Sequence, residues 1–299
     1  IASCLVGSEM CIRDRPCTEQ IYRKMELAIV GRFVKEGYVS RDQVLRNGKI
    51  VKDRRVLASA PSSIFVLFLS NHKLLFVREV AGAPSLENFG TTIEHFIKFK
   101  RKEFIDQEYE RLKATSKPST KKDLFEKYPS PSIEVVPLAS EATMTEFIHK
   151  FAVLKSVEVK LLDTNHELDN SELFADLRKA KDQLSSDVLT VRNESKGQLG
   201  LNKTAAAKLV SAPATEGNSR IKLSGTDAQG DTLVGNDENY RLSIPIRLQR
   251  AGGAEKPTAT INKMIETYFN ALQQKILTVQ KGNSTALKKL MALRKSLKL

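Results

Sequence analysis

The chain has 299 residues, enough for one large domain or two of ordinary size. Apolar residues make up 41% and charged residues 28%, which excludes wholesale disorder, and the chain lacks the run of ~18 apolar residues that would predict a membrane span. Lysine and arginine outnumber aspartate and glutamate by 48 to 35, a net charge of +13, which favours an anionic partner such as nucleic acid or an acidic surface.

The N-terminal segment 1–15 is interpreted as foreign to the protein. Residues 4–15, CLVGSEMCIRDR, resemble the conceptual translation of a sequencing adapter, so no fold is predicted for this segment. It holds Cys4 and Cys11, and the third cysteine of the chain is Cys17. Because no cysteine follows Cys17, a disulfide framework or a cysteine-based zinc site is excluded from the remaining chain, and a reducing cytoplasm is compatible with it.

An N-terminal α+β domain is predicted over residues 20–130. Two β-rich apolar runs flank a Ser-Asn-His-Lys turn, and a later stretch carries apolar residues at three- and four-residue steps, as a helix does. The predicted elements are a strand over 25–34, a hairpin of 64–69 and 74–77, and helices over 86–113 and 120–127.

A second α+β domain is predicted over residues 131–250. Ser140 and Asn202 are expected to cap helices, and Pro213 is expected to end the second of these. The predicted helices cover 140–150, 170–184 and 203–211, and the predicted strands cover 133–138, 153–162, 187–194, 220–226, 232–234 and 240–246.

A C-terminal helix and a basic tail are predicted over residues 257–299. Apolar residues recur on one face from 258 to 281, which predicts a long helix suited to packing on a sheet or pairing with a second subunit. A second, basic helix is expected to follow Gly282-Asn283-Ser284. The element order predicts an α+β fold with mixed or antiparallel sheets, hairpins, flanking helices and a long C-terminal helix.

Motifs for catalysis, metals and cofactors are nearly absent from the sequence. The chain has no phosphate-binding glycine loop, and its four histidines are scattered without metal-ligand spacing, so neither a metal nor a cofactor is predicted. Glu158-Val159-Lys160 matches half of a Mg²⁺-dependent nuclease core, in which the carboxylate holds the metal and the lysine positions water. The competing interpretation is an exposed ion pair, because alternation puts Glu158 and Lys160 on one strand face and Val157, Val159 and Leu161 on the other.

Clustered cations are the larger signal. The candidate nucleic-acid-binding residues are Lys98, Lys100, Arg101 and Lys102, then Lys121 and Lys122, and in the tail Lys288, Lys289, Arg294 and Lys295. Three interpretations of the tail stay open: contact with nucleic-acid phosphates, contact with an anionic membrane surface, or a solvated face on a packed helix. The tail has no aromatic residue to stack on bases, which favours contacts to a duplex backbone.

The order of these segments over residues 60–277 resembles the RexA-type phage-exclusion proteins of lambdoid phages and related bacterial proteins. The stretch most similar to that family is IKLSGTDAQGDTL at residues 221–233. The resemblance implies a cytoplasmic, non-enzymatic, dimeric DNA-binding protein that acts in the exclusion of infecting phage. Proteins of this kind are paired with a membrane channel partner.

We therefore expect a protein of a bacterial phage-exclusion or phage-defence system that binds nucleic acid, with duplex DNA favoured. One alternative is a Mg²⁺-dependent nuclease built on Glu158 and Lys160. Another is a non-enzymatic interaction subunit whose basic tail binds a protein partner. No small-molecule substrate is predicted.

Overall fold

The fold is α+β, as predicted, in a computed structural model that describes residues 10–13, 27–114, 119–162, 172–186, 188–217, 219–246, 257–277 and 284–296. The strands are β1 (Met10–Arg13), β2 (Ala28–Lys35), β3 (Gly37–Arg46), β4 (Lys49–Ser59), β5 (Ser62–Phe68), β6 (Leu74–Arg78), β7 (Val153–Leu161), β8 (Leu189–Glu194), β9 (Ser219–Thr226) and β10 (Thr232–Asn236). The helices are α1 (Leu86–Lys113), α2 (Lys121–Lys127), α3 (Glu141–His149), α4 (Glu172–Gln183), α5 (Lys203–Glu216), α6 (Pro257–Gln273) and α7 (Ser284–Ser296).

The strands form three sheets. One has the order β1-β2-β5-β6, another has the order β10-β9-β7-β8, and β3 pairs only with β4. The chain divides into two compact units, one drawn mainly from Val30–Phe65 and Phe76–Val135 and the other mainly from Val66–Leu75 and Val136–Leu299. Short turns join β3 to β4 and β9 to β10, and both pairs are antiparallel. Strand β7 is also antiparallel to β8 and to β9, across longer connections.

Aromatic packing anchors helix α1 in the first unit. Phe89 is buried near the start of the helix and contacts the rings of Phe33, Phe65 and Phe76 at centroid distances of 4.8–5.7 Å. The helix begins where predicted, because Ser85 accepts from the backbone N–H of Asn88 and the Asn88 side chain accepts from the backbone N–H of Ser85. The buried rings thus fix this end of α1, while its later turns carry the predicted cations.

The second unit is built on β7 and β9, with α3 and α5 packed over one face of the sheet. Val157, Val159 and Leu161 are buried, and Glu158 and Lys160 are partly exposed, which confirms the alternation predicted for this strand. Gly235 of β10 lies against the ring of Phe147, where a Cβ atom would come within 2.1 Å of the ring. The glycine is therefore required by the close approach of α3 to the sheet.

Helix α6 packs through the apolar face that the sequence predicts. Tyr268 stacks on Phe68 of β5 with ring centroids 4.6 Å apart, and its hydroxyl accepts a 3.0 Å hydrogen bond from the side chain of Asn71. Met264 and Ile265 are buried on the same face. The apolar face of α6 is buried by packing within the chain, so α6 does not present it to a second subunit.

Two predicted strands are wrong. Residues 133–138 form no strand, because no described strand pairs with them and Pro137 has no N–H group to donate. The carbonyl of Leu138 does accept a hydrogen bond from the N–H of Leu242. Residues 240–246 form no strand either, because the chain turns at Tyr240, which is buried in the core. Pairing of the second hairpin therefore ends with β10.

Tyr240 and Asp237 form a buried polar corner behind β9. The Tyr240 hydroxyl donates to the carbonyl of Ile221, and the Asp237 carboxylate accepts a 2.9 Å hydrogen bond from the N–H of Ile221. Burial raises the pKa of the Asp237 carboxyl and of the Tyr240 phenol above their ordinary values. These bonds replace the strand pairing that alternation predicts for this segment.

Two predicted helix ends are also wrong. Helix α5 continues through Pro213 to Glu216 and ends at Gly217 in the left-handed region, where the Gly217 N–H donates to the Pro213 carbonyl. A proline so close to the end removes one hydrogen bond and leaves the last turn intact. The long C-terminal helix expected over 258–281 ends at Gln273, and Lys275 has a φ of 57°.

Replacing Gly235 with alanine is expected to lower the free energy of unfolding by about 1–3 kcal/mol, because the new methyl group overlaps the buried Phe147 ring. Gly37→Ala is the matched control, since a Cβ there meets no atom within 4 Å. Urea unfolding of both variants measures the difference. Equal stability of the two variants would contradict the packing described for α3 and β10.

Candidate nucleic-acid interface

The predicted cations of α1 are interleaved with acids. Lys98 donates to Glu94 one turn earlier, and Lys100 Nζ lies 2.7 Å from the carboxylate of Glu103. The hydrogen bond from Lys98 holds the pKa of the Glu94 carboxyl below its usual value. Exposed pairs of this kind stabilise a helix only slightly, but each carboxylate offsets the charge that would attract a phosphate. These two lysines therefore add little net positive charge to the surface.

The lysines that open α2 are arranged in the same way. Lys121 Nζ lies 2.6 Å from Asp106 of α1, and this hydrogen bond raises the pKa of Lys121 and lowers the pKa of Asp106. Lys122 lies 4.0 Å from Glu126 in the next turn of α2. The pair of Lys121 with Asp106 joins α2 to α1, so the charge of Lys121 stabilises the packing of the two helices.

Arg101 is directed at backbone carbonyls. Its Nε donates to the carbonyl of Tyr128 at 2.6 Å, its Nη2 donates to the carbonyl of Phe125 at 3.0 Å, and its guanidinium lies 4.9 Å from the centroid of the Phe125 ring. The last carbonyls of a helix lack partners within the helix, and a cation there also complements the helix dipole. Arg101 therefore caps the C-terminal end of α2 from α1.

Lys102 is exposed, and no ion pair joins it to a carboxylate within the described part of the chain. Its charge contributes, at longer range, to the lowered pKa of Asp106. Of the six cations predicted on α1 and α2, Lys102 has the environment best suited to a phosphate contact.

Helix α7 presents cations and apolar side chains together. Lys288, Lys289 and Lys295 are exposed, whereas the Arg294 side chain lies outside the described residues. Leu287, Met291 and Leu293 are exposed on the same helix, and no described helix or strand packs extensively against it. The helix contains no acid, so its cations are not offset within the element. A role for these tail residues in binding remains a prediction.

Glu158 lies among cations. On the solvent face of the second sheet it is opposite Arg192 of β8 and Lys222 of β9, and its carboxylate lies 3.9 Å from the Arg192 guanidinium. Lys160 is opposite Arg220. Among the described residues, no three histidine, cysteine or acidic side chains are grouped to hold a metal ion. This geometry matches the exposed ion pair that competes with the nuclease interpretation.

The sequence analysis missed a long two-stranded ribbon formed by β3 and β4. Asn47 and Gly48 join the strands, and both have positive φ, 48° and 74°, as the tight turn of a two-residue hairpin requires. The ribbon continues from neighbouring strands of the first sheet, because β2 leads into β3 and β4 leads into β5. A hydrogen bond from the Lys35 N–H to the Pro61 carbonyl closes its base.

The ribbon makes little contact with the rest of the described chain. Its two strands contact each other along their whole length, and no other described helix or strand makes more than marginal contact with them. Apolar side chains are consequently exposed along both strands: Tyr38, Leu45, Ile50, Val51, Val56 and Leu57. A two-stranded hairpin with no face to bury is marginal in water, so this ribbon depends on the sheet that supports it.

Cations outnumber acids on the ribbon. The sequence from 37 to 59 contains six basic residues, Arg41, Arg46, Lys49, Lys52, Arg54 and Arg55, against Asp42 and Asp53. Asp53 lies 3.7 Å from Arg46 and 3.1 Å from Arg55, and Asp42 lies 4.0 Å from Arg54. Lys49 and Lys52 are exposed, and neither forms an ion pair with any described residue. The ribbon therefore retains a net positive charge along its length.

The signal that would have revealed the ribbon is in the sequence. Asn-Gly between Val-Leu-Arg and Lys-Ile-Val is the strongest short-range indication of a hairpin. Frequent charges interrupt the apolar pattern, because both faces of the ribbon are solvated.

No family model, curated protein or solved structure matches this chain. The described helices also include none with the length and apolar character needed to cross a membrane.

Arg101→Ala is expected to lower the free energy of unfolding by about 1–2 kcal/mol, because the carbonyls of Phe125 and Tyr128 lose a charged donor. Lys102→Ala, one residue further along α1, is expected to change it by less than about 0.5 kcal/mol. Chemical unfolding of both variants makes the comparison. If the Arg101→Ala variant is as stable as the wild type, the cap on α2 is not needed for stability, and Arg101 is again a candidate phosphate contact.

Proposed function

We propose that this chain is a non-enzymatic, cytoplasmic protein that binds duplex DNA through the β3–β4 ribbon. The observation that supports the proposal is the exposed, net-positive ribbon, on which Lys49 and Lys52 have no carboxylate partner in the described chain. Lysines that neutralise the phosphates of a duplex release condensed counterions, which supplies affinity. Binding of this kind is independent of base sequence.

The ribbon has the dimensions of a duplex groove. Ten residues of β3 extend about 33 Å, close to one helical turn of B-DNA. The major groove, about 12 Å wide, admits a two-stranded ribbon. Lys102 and the lysines of α7 are further cations that we propose as phosphate contacts, each within its own unit of the chain. The ion-paired lysines of α1 and α2 have a smaller part in binding.

The biological setting follows from the family resemblance. The segment order over 60–277 and the stretch 221–233 resemble phage-exclusion proteins, so we propose a role in a phage-exclusion or phage-defence system. A homodimer and a membrane-protein partner belong to the same proposal. The nuclease alternative is the less favoured proposal, because the neighbours of Glu158 across the sheet are the cations Arg192 and Lys222.

The double variant Lys49→Ala with Lys52→Ala tests this function. We expect wild-type binding to a duplex of about 30 base pairs, followed by fluorescence anisotropy, to weaken steeply between about 50 and 200 mM salt. In the variant, the plot of log K against log salt should be less steep: the magnitude of its negative slope should decrease by about two, roughly one for each lost phosphate contact.

The double variant Lys98→Ala with Lys100→Ala is the matched control, because it removes the same number of lysines from positions already paired with acids. A smaller change of slope is expected there. Equal slopes for the two double variants would contradict the assignment to the ribbon. Absence of duplex binding, with retained binding to a protein partner, would favour the interaction-subunit alternative.

A further inference from the structure

The end of the ribbon carries an apolar pair that the fold does not use. Leu45 and Ile50 are directly opposite each other, second from the Asn47-Gly48 turn, and their side chains are 69% and 71% exposed. Side chains in directly opposed positions of antiparallel strands have Cβ atoms about 5 Å apart, so the two form one apolar knob. No other described helix or strand makes more than marginal contact with the ribbon, so the knob remains largely exposed to solvent in the described part of the chain.

Cations surround this knob on both faces of the ribbon. Lys52 is opposite Gln43, two positions from Leu45 and Ile50, and therefore shares their face. Arg46 and Lys49 form the last pair before the turn and belong to the opposite face. One face of the tip thus carries the apolar knob and Lys52, and the other face carries Arg46 and Lys49.

The charge and the shape of the ribbon tip indicate which kind of partner binds there. A second copy of the chain would bring a ribbon of the same sign, which repels at close range. An anionic membrane offers a plane, which meets the cations of one ribbon face only. A duplex groove has phosphates along both walls, and an apolar side chain in it contacts thymine methyl groups or the faces of the bases that it unstacks. A groove therefore offers phosphates to the cations of both ribbon faces and apolar base surface to the knob on one of them.

We propose that Leu45 and Ile50 form a wedge that enters the base stack from the groove, so that the protein bends the duplex it binds. The inference rests on the proposed function and adds to it a mode of action. Leucine and isoleucine are among the side chains that unstack base steps in architectural DNA-binding proteins. The cations beside the wedge hold the phosphates of the kinked backbone.

A duplex labelled at its two ends with a fluorescence donor and acceptor tests the wedge with the full-length chain. Saturating wild-type protein should raise energy transfer, as expected for a bend of about 20–90°. The double variant Leu45→Ala with Ile50→Ala should lose that rise, while its dissociation constant increases roughly tenfold or less, because phosphate contacts supply most of the affinity. Circular dichroism verifies that the variant is folded.

The double variant Val56→Ala with Leu57→Ala is the matched control. It removes two exposed apolar side chains from the same ribbon, about 20 Å from the tip, and should bend the duplex as the wild type does. A second variant, Leu45→Met with Ile50→Met, keeps the apolar bulk and should retain bending.

The outcomes separate this inference from the proposed function. Binding of the duplex without bending, or equal bending by the Leu45→Ala, Ile50→Ala variant, would overturn the wedge and leave duplex binding intact. Absence of duplex binding would overturn both. Binding to vesicles of anionic phospholipid that depends on Leu45 and Ile50, without a duplex bend, would identify the tip as a membrane contact and overturn the wedge.

Discussion

The backbone pairing of β3 with β4 is the constraint on which the proposed interface depends. The two strands bury no face, so their order comes from the hydrogen-bond ladder, the Asn47-Gly48 turn and the anchorage to β2 and β5. Since β2 and β5 are neighbours in the first sheet, the ribbon is an extension of strands that the sheet already holds. Buried rings around Phe89 stabilise that anchorage by packing α1 against the same sheet.

In this chain, the number of cations in a cluster does not indicate how much unpaired positive charge that cluster presents. The group on α1 and α2 includes four cations between residues 98 and 102, yet Lys98, Lys100 and Lys121 each have a carboxylate partner and Arg101 caps a helix. The ribbon has a similar number of cations and fewer acids, so more of its charge remains available to an anion. A basic patch is therefore defined by its unpaired side chains more than by its composition.

Much of the fold could be predicted from the sequence because local rules and packing agree there. The apolar spacing predicts the bounds of α1, and alternation predicts the faces of β7. The rules failed where tertiary structure overrides a local preference. Helix α5 tolerates Pro213 in its last turn, and the segment after Tyr240 follows a buried hydroxyl instead of a strand ladder.

The candidate site was harder to predict than the fold. Residue spacing indicates which cations share a helix face, but the Asp106 partner of Lys121 and the carbonyl partners of Arg101 belong to other elements. The ribbon was missed for the opposite reason. Strand prediction relies on one buried face, and β3 and β4 have none, although Asn47-Gly48 was a sufficient turn signal.

The most direct test of this account is backbone hydrogen exchange of the full chain with and without a short DNA duplex. Because a ribbon without packing opens readily, its amides should exchange fast in the free protein and become protected when a groove encloses it. We predict that protection on binding is largest between residues 37 and 59. Unchanged exchange in the ribbon, with new protection confined to α1, α2 or α7, would contradict the claim that β3 and β4 form the DNA-binding element.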